Sequence, residues 1–192
     1  MSTNEHEVDK GVRLDLFANP EFVRGASRLK EICWMAVSGL LVESWLPGSG
    51  WRRQLLRAFG AQIGVGVIIK PRVRVKFPWR LAVGDHSWIG EEVWIDNLCD
   101  VTVGTHCCLS QGAYLCTGRH DWTDPSFELI TAPIELGHGC WVGAKASIAP
   151  GTKGGPGAVV TMGSVASGRL KAWYVHIGVP AEAQKQRQLR IG

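Results

Sequence analysis

Hydrophobic residues along this chain follow two different rhythms. From Ser27 to Phe59 the spacing is helical. An apolar run from Ile32 to Val42 lies between Glu31 and Glu43, Pro47-Gly48 interrupts it, and Trp51–Phe59 (WRRQLLRAF) predicts a second, amphipathic helix. Ahead of this pair, residues 1–27 are polar and mixed, which predicts an irregular arm. After Gly60 the helical period disappears. Aliphatic residues then recur every six positions, at Ile63, Ile69, Val75 and Leu81. The series slips by two and resumes at Val83, Ile89, Ile95 and Val101, slips again to Val103, Leu109 and Leu115, and after a gap returns at Leu136, Val142, Ile148 and Val160.

Strands with alternating polarity do not produce a six-residue rule. The residue after the aliphatic is repeatedly glycine (Gly64, Gly84, Gly90, Gly104, Gly137, Gly143), and four places after it stands a compact side chain such as Ser87, Cys107, Ala113, Cys140 or Ala146. Short strands separated by tight turns and stacked as a solenoid satisfy this pattern: each rung sends one aliphatic and one small side chain into a narrow prism, and parallel ladders pair the backbone. The expected fold is therefore an all-β solenoid, a parallel β-helix of hexapeptide repeats over 60–180. It is preceded by an arm and helical segment (1–59) and followed by a basic tail (181–192). The same register assigns Cys99, Cys107 and Cys140 to interior packing and leaves Cys116 off it, as a candidate nucleophile.

The repeat fails between Leu115 and Leu136. The segment CTGRHDWTDPSFELITAPIE is polar, aromatic and contains proline, as expected of a loop extruded at about 117–133. Composition agrees with a turn-rich fold, since 24 of the 192 residues are glycine. A net charge of +4 with no reading motif argues against nucleic acid as a partner and suffices for a small anionic ligand. The six cysteines include no C-x-x-C pair, so a zinc ribbon is not expected. Residues 1–12 lack the apolar core of a signal peptide, which makes a cytoplasmic protein with reduced thiols the expectation. The helical segment, residues 28–59, has two readings: packing on its own protein, or a peripheral contact with the inner membrane in which Arg52, Arg53 and Arg57 flank apolar residues.

Together the hexapeptide rungs, the TGRHDWTDPSF loop and the WVGAKASIAPG run resemble the left-handed β-helix acyltransferases. LLRAFGAQIG, KPRVRVKFPWRLAVGD and WIDNLCDVTVG narrow the resemblance to exopolysaccharide acetyltransferases of the colanic-acid type, a branch close to the galactoside and maltose acetyltransferases, over roughly residues 25–185. That resemblance implies left-handed winding, acetyl-CoA as donor without a metal, and a sugar or glycan hydroxyl as acceptor. It also implies a homotrimer with active sites between subunits and His120 as general base. The chemistry is sensible, because an alcohol is a poor nucleophile at neutral pH and imidazole is a good proton acceptor there. Asp121 or Asp124 would orient the ring or simply shape a turn. By the same resemblance Asp96 and Asn97 line the acceptor pocket, with Asp121 and Trp122 beside it, and Ala144, Met162, Ser167 and Lys185 meet the CoA. Gly143 or Ala144 offers a backbone N–H to the oxyanion. Trp141 packs on the pantetheine or covers a corner; Lys171 and Arg187 reach phosphate or are surface charge.

The chain departs from the family at GTKGGPG, where Gly154 stands in a rung position and predicts a void costing about 1–3 kcal/mol, and at Ser167-Gly168-Arg169. Both put the CoA contacts in question more than the histidine. Competing readings are an acetyltransferase acting on an amino sugar, sugar nucleotide or antibiotic, a non-catalytic assembly protein, and a zinc enzyme of the γ-carbonic-anhydrase type. The last would need His106, His120 and His138 around one metal, and they lack an H-x4-H pair. Trp79, Trp88, Trp94 and Trp122 stack on sugar rings or fill subunit contacts.

Overall fold

The computed structural model describes residues 11–190; the start of the arm, with the segment read for a signal peptide, and the last two residues of the tail lie outside them. Three parallel sheets form the three faces of a prism. The first face stacks Gln62–Ile63, Leu81–Val83, Val101–Val103, Ile134–Leu136, Lys153–Gly154 and Arg169–Leu170. The second stacks Ile68–Ile69, Trp88–Ile89, Cys108–Leu109, Trp141–Val142, Val159–Val160 and Tyr174–Gly178, and the third Arg74–Val75, Trp94–Asp96, Tyr114–Cys116, Ser147–Ile148 and Val165–Ala166. The chain visits the faces in rotation and winds as a left-handed parallel β-helix. Every aliphatic of the six-residue series is an inward, buried position, from Ile63 through Ile95 and Leu115 to Val160.

The glycine after each aliphatic is required by close approach between coils. A Cβ on Gly84 would lie 2.7 Å from the carbonyl carbon of Gly104, and one on Gly143 2.5 Å from the amide nitrogen of Met162. The left-handed residue of the turn comes two places later and is often not glycine, as at His86 (φ 57°) and Lys145 (φ 55°). The two slips in the repeat are insertions at the corner between the third and first faces. Ile63 pairs with Val83 and Val83 with Val103, whereas later coils shorten to Leu136 with Gly154. Pro78–Arg80 makes a 3-10 turn within the first of these corners. In the second, Asn97 takes the interior place and displaces Cys99, expected as a packing residue, to a half-buried position. Cys107 and Cys140 do lie in the interior; Cys107 and burial together push the Cys140 thiol up from its usual range. Nor does Gly154 leave the expected void. A Cβ there would meet Leu136 Cδ2 at 3.1 Å and Cys140 Sγ at 3.4 Å, so neighbouring side chains already fill the space.

Helix α1 (Arg28–Val37) begins at Ser27, whose side chain accepts from the Lys30 N–H, and continues as a π turn over Ser38–Val42. Trp34, Ser38 and Val42, four residues apart, form its buried stripe. Helix α2 (Gly50–Ala58) follows the Pro47-Gly48 break, and together the two cap the first coil, with Trp34 Nε1 donating to Val75 O at 2.9 Å. This arrangement supports the packing of residues 28–59 on their own protein, the first of the two readings of that segment. Arg52 is fully buried and donates to Val42 O, Gly48 O and Ser44 O, while Arg53 reaches Val67 O and Arg57 reaches Ile63 O. All three guanidinium groups thus bond backbone carbonyls of the protein, Arg52 in the interior and Arg57 at an exposed edge, while Leu29, Ile32, Met35, Leu40 and Trp45 stay exposed. Among the described residues no helix is long and apolar enough to cross a membrane. At the other end the segment expected as a separate tail continues the fold instead: Ala181–Gln186 pairs antiparallel with Tyr174–Gly178 and closes the second face.

Candidate active site

The interruption of the repeat is a β-hairpin that leaves the corner between the third and first faces. Gly118–His120 pairs antiparallel with Leu129–Thr131, which sets His120 opposite Leu129 at the mouth of the tip. His120 Nδ1 lies 2.8 Å from the carbonyl oxygen of Phe127. A carbonyl only accepts, so Nδ1 carries the proton, and Nε2 of the neutral ring holds the lone pair. The ring stacks on Phe127 at 4.2 Å and 6°, and Phe17 from the N-terminal arm stands against it at 5.7 Å. This is the tautomer a general base needs, fixed without a carboxylate.

Neither neighbouring aspartate touches the ring. Asp121 Oδ1 accepts from the N–H and hydroxyl of Thr123, which hold its carboxyl below the usual carboxylate range. Asp124 Oδ1 accepts from the N–H and hydroxyl of Ser126. Both are turn residues. Trp122, between them, is 75% exposed at the tip. Asp96 lies at the root of the hairpin, paired with Cys116 across the third face. Its Oδ2 accepts from the Tyr114 hydroxyl at 3.2 Å, and Lys76 Nζ stands 3.4 Å from Oδ1. Burial, then the neighbouring Cys116 and Asp96, push the Tyr114 hydroxyl well above its usual range, so it remains a donor. Asn97 is a correction: it is fully buried, its Oδ1 accepts from Phe77 N–H and its Nδ2 donates to Phe77 O and Arg80 O, so it ties two coils together and has nothing left for an acceptor. The Cys116 thiol lies 3.0 Å from Gly118 O, to which it donates.

The positions expected to meet CoA are spread over three corners. Ala144 and Met162 stack on each other at the corner between the second and third faces, where Gly163 N–H donates to Ala144 O. Gly143 N–H is committed to Val160 O at 2.7 Å and is not available to an oxyanion; among the described residues the Ala144 N–H has no such partner. Met162 is 76% exposed. Trp141 lies on the outer side of the second face with Nε1 donating to Ser110. Ser167 belongs to the corner from which His120 emerges, and Lys171, whose Nζ sits 3.7 Å from the centre of the Tyr174 ring, belongs to the corner between the first and second faces. Arg187 donates from Nη1 to Gly139 O and Gly157 O beyond the end of the last strand; Lys185 is exposed on that strand. His106 and His138 stand with His86 at the corner opposite the third face, their rings 5.3 and 5.5 Å apart in sequence, and His120 is not among them.

Sequence reasoning expected an irregular arm but not where it docks. Residues 13–24 cross from the hairpin to the coil and roof a cleft of about 540 Å³ lined by Asn19, Glu21, Phe22, Arg80, Asp100 and Glu128. A polar segment without period carries no signal of where it docks.

No family model matches the chain. Over 173 residues, 89% of this chain and 94% of the other, it is 38% identical to WcaF of Escherichia coli, a protein named for acetyl transfer in colanic acid biosynthesis. The chain belongs to the WcaF family of hexapeptide-repeat acetyltransferases. Within that wider group this acetyltransferase is 23% identical to the galactoside O-acetyltransferase of Escherichia coli, over 70% of this chain and 68% of the other. Its fold matches a hexapeptide-repeat acetyltransferase of Vibrio cholerae, solved with acetyl coenzyme A, at a TM-score of 0.75 and 22% identity, covering 85% of this chain and 92% of that one. The coil of this chain is thus the fold of the Vibrio cholerae acetyltransferase.

Proposed function

We propose that this acetyltransferase moves the acetyl group of acetyl-CoA to a sugar hydroxyl during exopolysaccharide assembly, with His120 as general base. The observation that carries the reading is the contact between His120 Nδ1 and Phe127 O, which leaves Nε2 as a proton acceptor on a loop outside the prism. In the step, Nε2 takes the hydroxyl proton as the oxygen bonds to the thioester carbonyl carbon. The tetrahedral oxyanion collapses with cleavage of the C–S bond, and the imidazolium returns the proton to the departing CoA thiolate. Asp96, held by Tyr114 and Lys76 at the hairpin root, and the exposed Trp122 are the residues best placed to meet the acceptor. Ala144 N–H is the oxyanion donor, and Trp141, Met162, Ser167 and Lys185 are the donor-side contacts, while Lys171, at the corner opposite the third face, is surface charge.

The acting unit is a homotrimer. His120 and Ala144 flank the two ends of the third face within one chain, one rung apart, since Ser147 pairs with Tyr114. A face about six residues long spans roughly 15–20 Å, whereas attack requires reacting atoms about 3–3.5 Å apart. Three prisms with their third faces toward a common axis bring the His120 corner of one protomer to the Ala144 corner of the next.

Release of CoA from acetyl-CoA, measured over a panel of oligosaccharides, tests the assignment. Acceptor-dependent release is expected from the wild type, with a loss of about a hundredfold or more in His120→Ala. An unchanged rate in that variant would remove the histidine from the mechanism, and no acceptor-dependent release from the wild type would remove the transferase reading.

A further inference from the structure

Two features of the hairpin are not needed by the chemistry as just described. Phe127, whose carbonyl meets His120, has φ 55°, a left-handed conformation that a bulky residue rarely adopts. Strain of this kind gathers at sites where the surroundings hold a residue in place for a purpose. The second feature is the arm. Arg13 N–H donates to Pro125 O at 2.7 Å and Leu129 N–H donates to Asn19 Oδ1 at 3.3 Å, so the arm is fastened to the tip and to the returning limb of the hairpin. At its other end Trp79 Nε1 donates to Arg24 O at 2.8 Å and the Arg80 guanidinium donates to Val23 O, which fasten it to a corner of the coil. Between these anchors the ring of Phe17 rests on His120.

A single bond from Nδ1 to Phe127 O does not by itself fix an imidazole. The ring could swing about its Cβ–Cγ bond, and half a turn would exchange Nδ1 with a carbon and turn Nε2 away. Phe127 covers one face of the ring, and Phe17 stands against it from a different part of the chain. We infer that Phe17 is a positioning residue for His120: held by an arm tied to both coil and hairpin, its ring keeps the imidazole where Nδ1 meets Phe127 and Nε2 faces outward. The N-terminal arm is then a working part of the catalytic loop. The kinetic consequence rests on the acetyl-transfer reading; the structural one does not. Phe17 is itself 43% exposed, so its removal strips little from the hydrophobic core.

The test uses the full chain with Phe17→Leu, which keeps an apolar side chain, and Phe17→Tyr, which keeps the ring. Two readouts are taken: acetyl-transfer kinetics, and the nuclear magnetic resonance signals of the His120 ring protons, identified by their disappearance in His120→Ala. Phe17→Leu is expected to lower kcat about tenfold or more while KM for acetyl-CoA stays within about twofold, as for a base that has lost its alignment. Its His120 ring protons shift as the ring current of Phe17 is lost, and Phe17→Tyr restores both rate and shift. Unmoved His120 signals in Phe17→Leu overturn the inference, as does a kcat that stays at the wild-type value. A parallel fall in kcat and melting temperature that Phe17→Tyr does not rescue also overturns it. Should the wild type transfer no acetyl group to any acceptor, the function falls, and whether the His120 ring keeps its nuclear Overhauser contacts with the Phe127 ring in Phe17→Leu decides alone whether Phe17 holds it.

Discussion

The imidazole of His120 is oriented by a backbone carbonyl, and the nearest carboxylates face elsewhere. Replacing Asp121 by Asn should therefore leave kcat within about fivefold of wild type, since the Thr123 turn loses one charge-assisted bond on the surface and the base loses nothing; steady-state kinetics beside His120→Ala checks this. Gly154 leads to a second expectation. Because Leu136 and Cys140 already fill the space a side chain would enter, Gly154→Leu should destabilise the coil by about 1–3 kcal/mol in spite of restoring an aliphatic to the repeat. Denaturant unfolding measures that change, and an increase in stability would mean that the void is real.

Among the elements, the helical cap depends on one buried cation. Arg52 satisfies the carbonyls of Val42, Gly48 and Ser44, which would otherwise be orphaned at the end of the π turn and in the α1–α2 connection. Arg52→Met should lower stability by about 2–4 kcal/mol, roughly one lost hydrogen bond per carbonyl with incomplete rehydration, and should melt the helices before the coil in a circular-dichroism scan. The coil itself was legible from the six-residue series, because each aliphatic from Ile63 to Val160 marks one inward position and needs no tertiary information to be recognised. The corners were less so. A slip of two residues is visible as arithmetic, but that Asn97 fills the interior in place of Cys99 depends on bonds to Phe77 and Arg80 in the preceding coil. His120 could be singled out from its loop and family pattern. Its partners Phe127 and Phe17 could not, one being a backbone contact and the other a docking of an irregular arm.

At the scale of the whole molecule, His120 and Ala144 stand at opposite ends of one face, and in the proposed trimer a neighbouring copy would close the distance. Ala144→Pro removes the N–H without opposing the turn, since Pro71 already stands at the equivalent corner three coils earlier in the same face sequence, where Glu92 N–H meets its carbonyl as Gly163 N–H meets that of Ala144. The variant should be as inactive as His120→Ala. The most direct measurement mixes these two inactive variants in equal amounts, unfolds and refolds them together, and assays acetyl transfer. With His120 of one protomer serving Ala144 of the next, a quarter of the sites combine two intact halves, so about a quarter of the wild-type rate should return. A mixture as inactive as its components, from trimers shown to contain both variants, would contradict the account.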